Sequence, residues 1–147
     1  MKVVWAILCE RVVIDTETNN LSLINVVEEV HVPAQPPGSL PEAVSKNLVP
    51  GLLELVVLWA RSDAEIPERG LGRVRIVTPA VGETIANDFD VDLSRFLRLR
   101  SRLKLPGLPP GGEGTYLFKI GGKPAGGEWT ELFELPLRMV LQAQESD

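Results

Sequence analysis

Apolar residues recur with a period of two along most of this chain, and no stretch shows the roughly 3.6-residue spacing of an amphipathic helix. Runs rich in valine, isoleucine and leucine alternate with turns rich in proline, glycine and asparagine. This pattern is typical of strands and their connections. It predicts an all-β fold: an antiparallel two-sheet β-sandwich of seven or eight strands, with a small closed β-barrel as the alternative.

The size and charge of the chain narrow the classes of protein further. A chain of 147 residues suits one domain, here 1–147, which buries enough surface to fold without a disulfide or a metal. Fifteen basic and 20 acidic residues leave a net charge of −5, which argues against a nucleic-acid partner. The single cysteine, Cys9, excludes an intrachain disulfide and a zinc–thiolate cluster. We therefore expect no cofactor.

The order of strands and turns can be sketched from the pattern. Strands at 3–14 and 21–32, joined by a polar turn at 15–20, predict an antiparallel hairpin. Five prolines in 33–50 predict an irregular segment that crosses between sheets or around an edge. Further strands are predicted at 51–61, 71–78, 84–92, 96–105, 115–121 and 127–141, with a turn at Gly121-Gly122-Lys123. Because the opening apolar run continues past Cys9 and no run is long enough to span a membrane, we expect a cytoplasmic protein without a membrane partner.

Two segments carry a resemblance to a known group of proteins. The Ala-x-Leu-Cys pattern of Ala6-Ile7-Leu8-Cys9 opens the first strand, and Ser22-Leu23-Ile24-Asn25 lies in the second. These segments resemble a family of small single-domain bacterial β-sandwich proteins of unknown function. Gly114-Thr115-Tyr116-Leu117-Phe118 is similar to the Gly-x-Tyr-x-Phe strand of many sandwich domains. The resemblance implies a bacterial β-sandwich and supplies no catalytic residues.

A run of basic residues forms the first candidate binding site. On a strand, Arg98, Arg100, Arg102 and Lys104 share one face, while leucines occupy the other. One interpretation is a track that binds an anion. The other is the solvent face of an edge strand, where charge prevents pairing with another sheet. The acidic total charge favours the second interpretation.

Three alternating carboxylates form the second candidate. Asp88, Asp90 and Asp92 resemble the acidic segments that bind calcium at the ends of β-sandwiches, because a hard cation takes six to eight oxygen ligands. The spacing of an EF-hand loop is absent, since glycine and glutamate are missing from the required positions. A strand with an acidic solvent face is the simpler interpretation.

The remaining candidates are single side chains. Trp129 follows a glycine-rich turn, which makes it the candidate for a small-molecule or carbohydrate site, whereas Trp5 and Trp59 are expected in the core. His31 is expected to be exposed, and Cys9 to be an inert core residue.

These observations predict a non-enzymatic β-sandwich module that acts by binding a protein partner or by self-association. The alternatives are a small-molecule or carbohydrate-binding domain built on Trp129 and the loops, and a carboxylate- or metal-dependent enzyme. The apolar strand 127–141, with Pro136 in its middle, or the first strand is expected at a sheet edge. That edge is then expected to form a homodimer contact.

Overall fold

The computed structural model describes residues 1–33 and 49–142, so most of the predicted crossing segment 33–50 lies outside the described residues. Within these ranges the chain forms nine strands and no helix. In chain order they are β1 (Lys2–Ile14), β2 (Leu21–Val26), β3 (Glu29–Pro33), β4 (Val49–Ala60), β5 (Glu68–Thr78), β6 (Gly82–Leu93), β7 (Arg98–Leu108), β8 (Gly114–Pro124) and β9 (Thr130–Gln142). The described residues therefore contain no helix that is long and apolar enough to cross a membrane.

The strands form two sheets that do not close into a barrel. Sheet A has the order β2-β1-β4-β7, and sheet B has the order β3-β9-β8-β5-β6. All pairs are antiparallel except β3 with β9, which is parallel. The predicted two-sheet sandwich is confirmed, the barrel alternative is wrong, and the described strands number nine rather than seven or eight.

The core lies between the sheets and follows the predicted alternation. Its fully buried side chains include Trp59, Leu55, Tyr116, Phe118 and Leu137. Sheet A contributes alternate residues of β4, and sheet B contributes alternate residues of β5, β8 and β9. Burying large apolar side chains on one face of each strand is what holds two sheets together.

The predicted single strand 21–32 is two strands in different sheets. Asn25 has a positive φ of 53°, and the pairing with β1 ends one residue later, where Val26 lies opposite Cys9. The Val27 N–H then donates to the Leu8 carbonyl of sheet A at 2.8 Å, while the Glu28 carbonyl accepts from the Arg138 N–H of sheet B at 3.0 Å. The chain therefore crosses between the sheets at two consecutive residues, a change that leaves the alternation of apolar residues almost undisturbed.

The edge prediction for β9 and β1 is wrong. β9 lies between β3 and β8, and β1 lies between β2 and β4. Pro136 is nevertheless tolerated, because β3 pairs only with residues 138–142 of β9. The turn predicted at Gly121-Gly122-Lys123 is also wrong, since all three residues belong to β8.

Candidate interaction surface

The strands β6 and β7 lie together on one side of the sandwich. Each is the last strand of its sheet, and the short corner at 94–97 joins them. The Arg61 guanidinium fixes this corner by donating to the carbonyls of Leu93 at 2.8 Å and Ser94 at 3.1 Å. Within the described ranges, no strand pairs with the outer edge of either β6 or β7. We refer to this side as the β6–β7 side.

The exposed face of β7 is the predicted row of basic side chains. Arg98, Arg100, Arg102 and Lys104 project outward, while Leu99, Leu103 and Leu105 pack against the core. β7 carries these four cations and no acidic residue. The interpretation as the charged solvent face of an edge strand thus agrees with where the structure places β7.

Two members of this row have partners within the protein. Arg102 donates to the Glu54 carboxylate of β4 at 2.8 Å. Arg100 donates to the main-chain carbonyl and the side-chain oxygen of Asn19, at 2.9 and 2.8 Å, and so holds the β1–β2 turn. Among the described residues, Arg98 and Lys104 form no ion pair.

Glu54 is a buried carboxylate that the sequence analysis did not single out. Burial alone would raise its pKa, but hydrogen bonds from Arg102 and from the Val12 N–H at 2.8 Å outweigh burial and hold the pKa below its usual value. Its position within the most apolar strand was the available signal, because a carboxylate in such a strand needs a partner.

The exposed face of β6 is acidic. Asp88, Asp90 and Asp92 point outward, while alternate residues of the same strand pack into the core. With Glu83 they make four acidic residues on β6, which has no basic one. The two edge strands of this side therefore carry opposite charge, a relationship that the separate sequence segments did not reveal.

The carboxylates predicted as calcium candidates are engaged by arginines of β5. Arg73 binds Asp88 with two hydrogen bonds of 2.6 and 2.7 Å, and Arg69 lies 3.3 Å from Asp92. Hydrogen bonds from Arg73 lower the pKa of Asp88, and those from Ser94 lower the pKa of Asp92. In the part of the chain that the structure describes, no three metal-ligating side chains gather into a site.

On the outer face of sheet B, the basic strands β5 and β8 lie side by side between the acidic strands β6 and β9. The acidic β6 lies beside the arginines of β5, and Lys119 of β8 lies beside the acidic residues of β9. Arg75 joins the two halves by contacting Glu83 at 2.8 Å and Glu131 at 3.3 Å. Each basic strand therefore has an acidic neighbour, and β6 is acidic at the open end of the series.

Trp129 lies on the same outer face and is partly buried there. The Arg73 guanidinium sits 4.0 Å from the centre of its ring. On β8, a Cβ built at Gly121 would lie 3.6 Å from the ring, so the indole also packs on the strand backbone. A sugar that stacked on Trp129 would have to displace Arg73 from the ring or bind only its edge.

A cavity of about 520 Å³ lies on the opposite side, between β1 and β9. Its walls are largely apolar and include Ala6, Leu8, Val27, Leu135 and Pro136. The main-chain N–H of Arg138 points toward the β3 side of β9, where it donates to the Glu28 carbonyl. Residue 136 lies two positions earlier and so has its main-chain nitrogen on the same side, but Pro136 carries no N–H. The proline therefore removes the donor that an added strand would need.

The other single candidates stay close to their predicted surroundings. Cys9 is fully buried, and burial raises the pKa of its thiol, so the inert neutral form is favoured. His31 is half exposed and contacts Glu29 at 2.6 Å. Trp59 lies in the core as expected, whereas Trp5 packs in a small cluster on the outer face of sheet A.

No protein-family model, curated protein sequence or solved structure matches this chain.

Proposed function

We propose that this chain is a non-enzymatic protein-interaction module that uses the β6–β7 side to bind a protein partner or a second copy of itself. The observation that supports the proposal is the meeting, on one side of the sandwich, of two sheet edges of opposite charge with which no described strand pairs. Open edges offer main-chain donors and acceptors to another strand. Cross-strand charge pairs then select which strand is accepted.

The charge distribution supports protein rather than nucleic acid as the partner. A phosphate backbone would meet the acidic row of β6 next to the basic row of β7, in a chain whose net charge is −5. An extended protein segment has no such uniform charge, and it adds main-chain hydrogen bonds to a sheet edge. The cytoplasmic location and the bacterial family resemblance stay parts of the proposal.

The carbohydrate-binding alternative has less support than the β6–β7 side. It requires a free aromatic face at Trp129, and the Arg73 guanidinium covers one face of that ring. An enzyme based on Asp88, Asp90 and Asp92 requires carboxylates free for a metal or for proton transfer. Arg73 and Arg69 instead neutralise two of the three.

The proposal is tested by capture from cell extract with the full chain as immobilised bait. Three baits are compared: the wild type, the β7 variant Arg98→Glu/Lys104→Glu, and the control Arg11→Glu/Lys123→Glu with the same change of charge elsewhere. We expect the same proteins on the wild type and the control, and their loss from the β7 variant. Capture that is equal on all three baits would refute the proposed surface.

A further inference from the structure

We infer that the partner of the β6–β7 side is a second copy of this chain, in a two-fold dimer where β7 of each copy pairs with β6 of the other. This inference rests on the proposed function and specifies its partner. It depends on three observations: the directions of the two strands, the sign of charge on each, and the residues left available on their exposed faces.

The first observation is the direction of the strands. β6 ends at Leu93 and β7 begins at Arg98 after a short corner, so the two strands run in opposite directions on the same side of the sandwich. A two-fold rotation about an axis parallel to the strands keeps every strand direction. It places β7 of one copy beside β6 of the other, antiparallel, and by symmetry repeats the contact with the roles exchanged.

The second observation is charge, which selects this arrangement from the alternative one. A two-fold rotation about the normal to the sheets would pair β7 with β7 and β6 with β6. Four cations would then face four cations, and four carboxylates would face four carboxylates. Like charges directly opposite each other on paired strands are destabilising, and opposite charges are stabilising. Only the pairing of β7 with β6 brings opposite charges together at both contacts.

The third observation is the set of groups available for the contact. The rotation places the outer faces of sheet A of one copy and sheet B of the other on the same surface. Arg98 and Lys104 of one copy and Asp90 of the other then project from this shared surface, on neighbouring strands. None of these three forms an ion pair among the residues the structure describes, so the dimer breaks no described pair to form new ones. The contact also places a basic strand on the open side of acidic β6, which has the arginines of β5 on its other side.

The test uses two charge-reversal variants of the full chain. The β7 variant is Arg98→Glu/Lys104→Glu, which leaves β7 with two cations and two carboxylates opposite acidic β6. The β6 variant is Asp90→Lys, which places a cation on β6 at the carboxylate that forms no described ion pair. Arg11→Glu/Lys123→Glu serves as the matched control. Circular dichroism and urea unfolding first verify that each variant is folded.

Sedimentation velocity and native mass spectrometry then measure assembly at micromolar protein in low and high salt. We expect the wild type and the control to sediment at roughly twice the 16.1 kDa monomer mass, and to dissociate more readily at high salt. Each reversal variant alone should dimerise about tenfold or more weakly, because the symmetry repeats every reversed pair. Mixing the two variants should restore a heterodimer, in which opposite charges meet again at both contacts.

Each other outcome overturns the inference. A wild-type chain that is monomeric at every concentration refutes the dimer. Loss of the dimer only in the β7 variant, with the β6 variant unchanged, would show that β7 contacts a surface other than β6 and also refutes it. If the chain is monomeric while capture from extract still depends on Arg98 and Lys104, the proposed function stands with a different partner. If neither measurement responds to these charges, both the dimer and the proposed function fail.

Discussion

The guanidinium of Arg73 lies 4.0 Å from the centre of the Trp129 ring, stacked on an aromatic side chain that directly precedes β9, two strands away in the same sheet. Asp88 holds the guanidinium with two hydrogen bonds. A planar cation over an indole face is attracted by the charge distribution of the ring. The three side chains therefore join β6, β5 and the start of β9 across the outer face of sheet B.

Replacing Arg73 should uncover the Trp129 ring. In a Trp5→Phe background, where Trp59 is buried and Trp129 is the partly exposed indole, we expect Arg73→Met to increase fluorescence quenching by acrylamide. Arg75→Met is the matched control, since Arg75 contacts carboxylates rather than the ring. Equal quenching in the two variants would contradict the stacked arrangement.

Glu54 should contribute to stability through the hydrogen bonds that it accepts. Glu54→Leu leaves the Val12 N–H without an acceptor and frees Arg102, so we expect a loss of about 1–3 kcal/mol in the free energy of unfolding. Glu54→Gln retains an acceptor oxygen and should lose less. Urea unfolding at pH 7 measures both, and an unchanged midpoint for Glu54→Leu would refute this role.

The same carboxylate predicts how stability depends on pH. Because the pKa of Glu54 is lower in the folded protein than its usual value, the folded state favours the ionised form. The contribution is fully present above the ordinary glutamate pKa of about 4.3 and is lost as the pH falls through the folded value. We expect the stability of the wild type to approach that of Glu54→Gln below that range, whereas Glu17→Gln, at an exposed position, should leave the pH profile unchanged.

The sign of charge and the inward or outward direction of side chains were predictable because both depend on local alternation. The leucines of β7 point inward and its cations outward, as the period of two requires. The same alternation predicted the core residue Trp59 and the buried Cys9. The positions of most strands from β4 to β9 along the chain were likewise predictable, since each strand is bounded by a turn or a change in polarity.

Strand order was not predictable, because it depends on contacts distant in sequence. The basic and acidic rows were each found in the sequence, but their meeting on one side requires knowing that β6 and β7 end their sheets. The crossing at Val27 and Glu28 was missed because apolar residues alternate on both sides of it. Arg73 was missed because its partners, Asp88 and Trp129, lie on other strands.

Glu68 should stabilise the first residue of the chain. The Met1 ammonium lies 2.7 Å from the Glu68 carboxylate and 2.6 Å from the Ser62 hydroxyl, in a partly buried position, and the Met1 side chain is almost fully buried. Burial would raise the pKa of Glu68, but the hydrogen bonds from this ammonium and from Ser62, together with the charge of the ammonium, outweigh burial and lower the pKa. Glu68→Gln should therefore reduce stability by about 1–3 kcal/mol at pH 7.

Acetylation of the Met1 amine removes the same charge from the other partner and provides a second measurement. We expect acetylated wild type to lose stability, and acetylation to have a smaller further effect on Glu68→Gln, because the pair is already broken. Glu65→Gln, at an exposed position in the same loop, is the control. If the stability lost on acetylation and the stability lost in Glu68→Gln simply add, the Met1 amine and the Glu68 carboxylate act independently.

Gly72 of β5 should tolerate a methyl group poorly. A Cβ at this position would overlap the Phe89 ring and lie 2.9 Å from the Trp59 ring, two side chains that meet edge to face with their centres 6.0 Å apart. Neither ring is a flexible chain end that can move aside cheaply. Gly72→Ala should thus cost about 1–3 kcal/mol through overpacking. Gly121→Ala is the matched control on the neighbouring strand, because its Cβ would meet only ordinary contacts of 3.4 Å and longer. Urea unfolding compares the two, and an equal cost would show that the loss comes from introducing any side chain into these strands rather than from the Trp59–Phe89 contact.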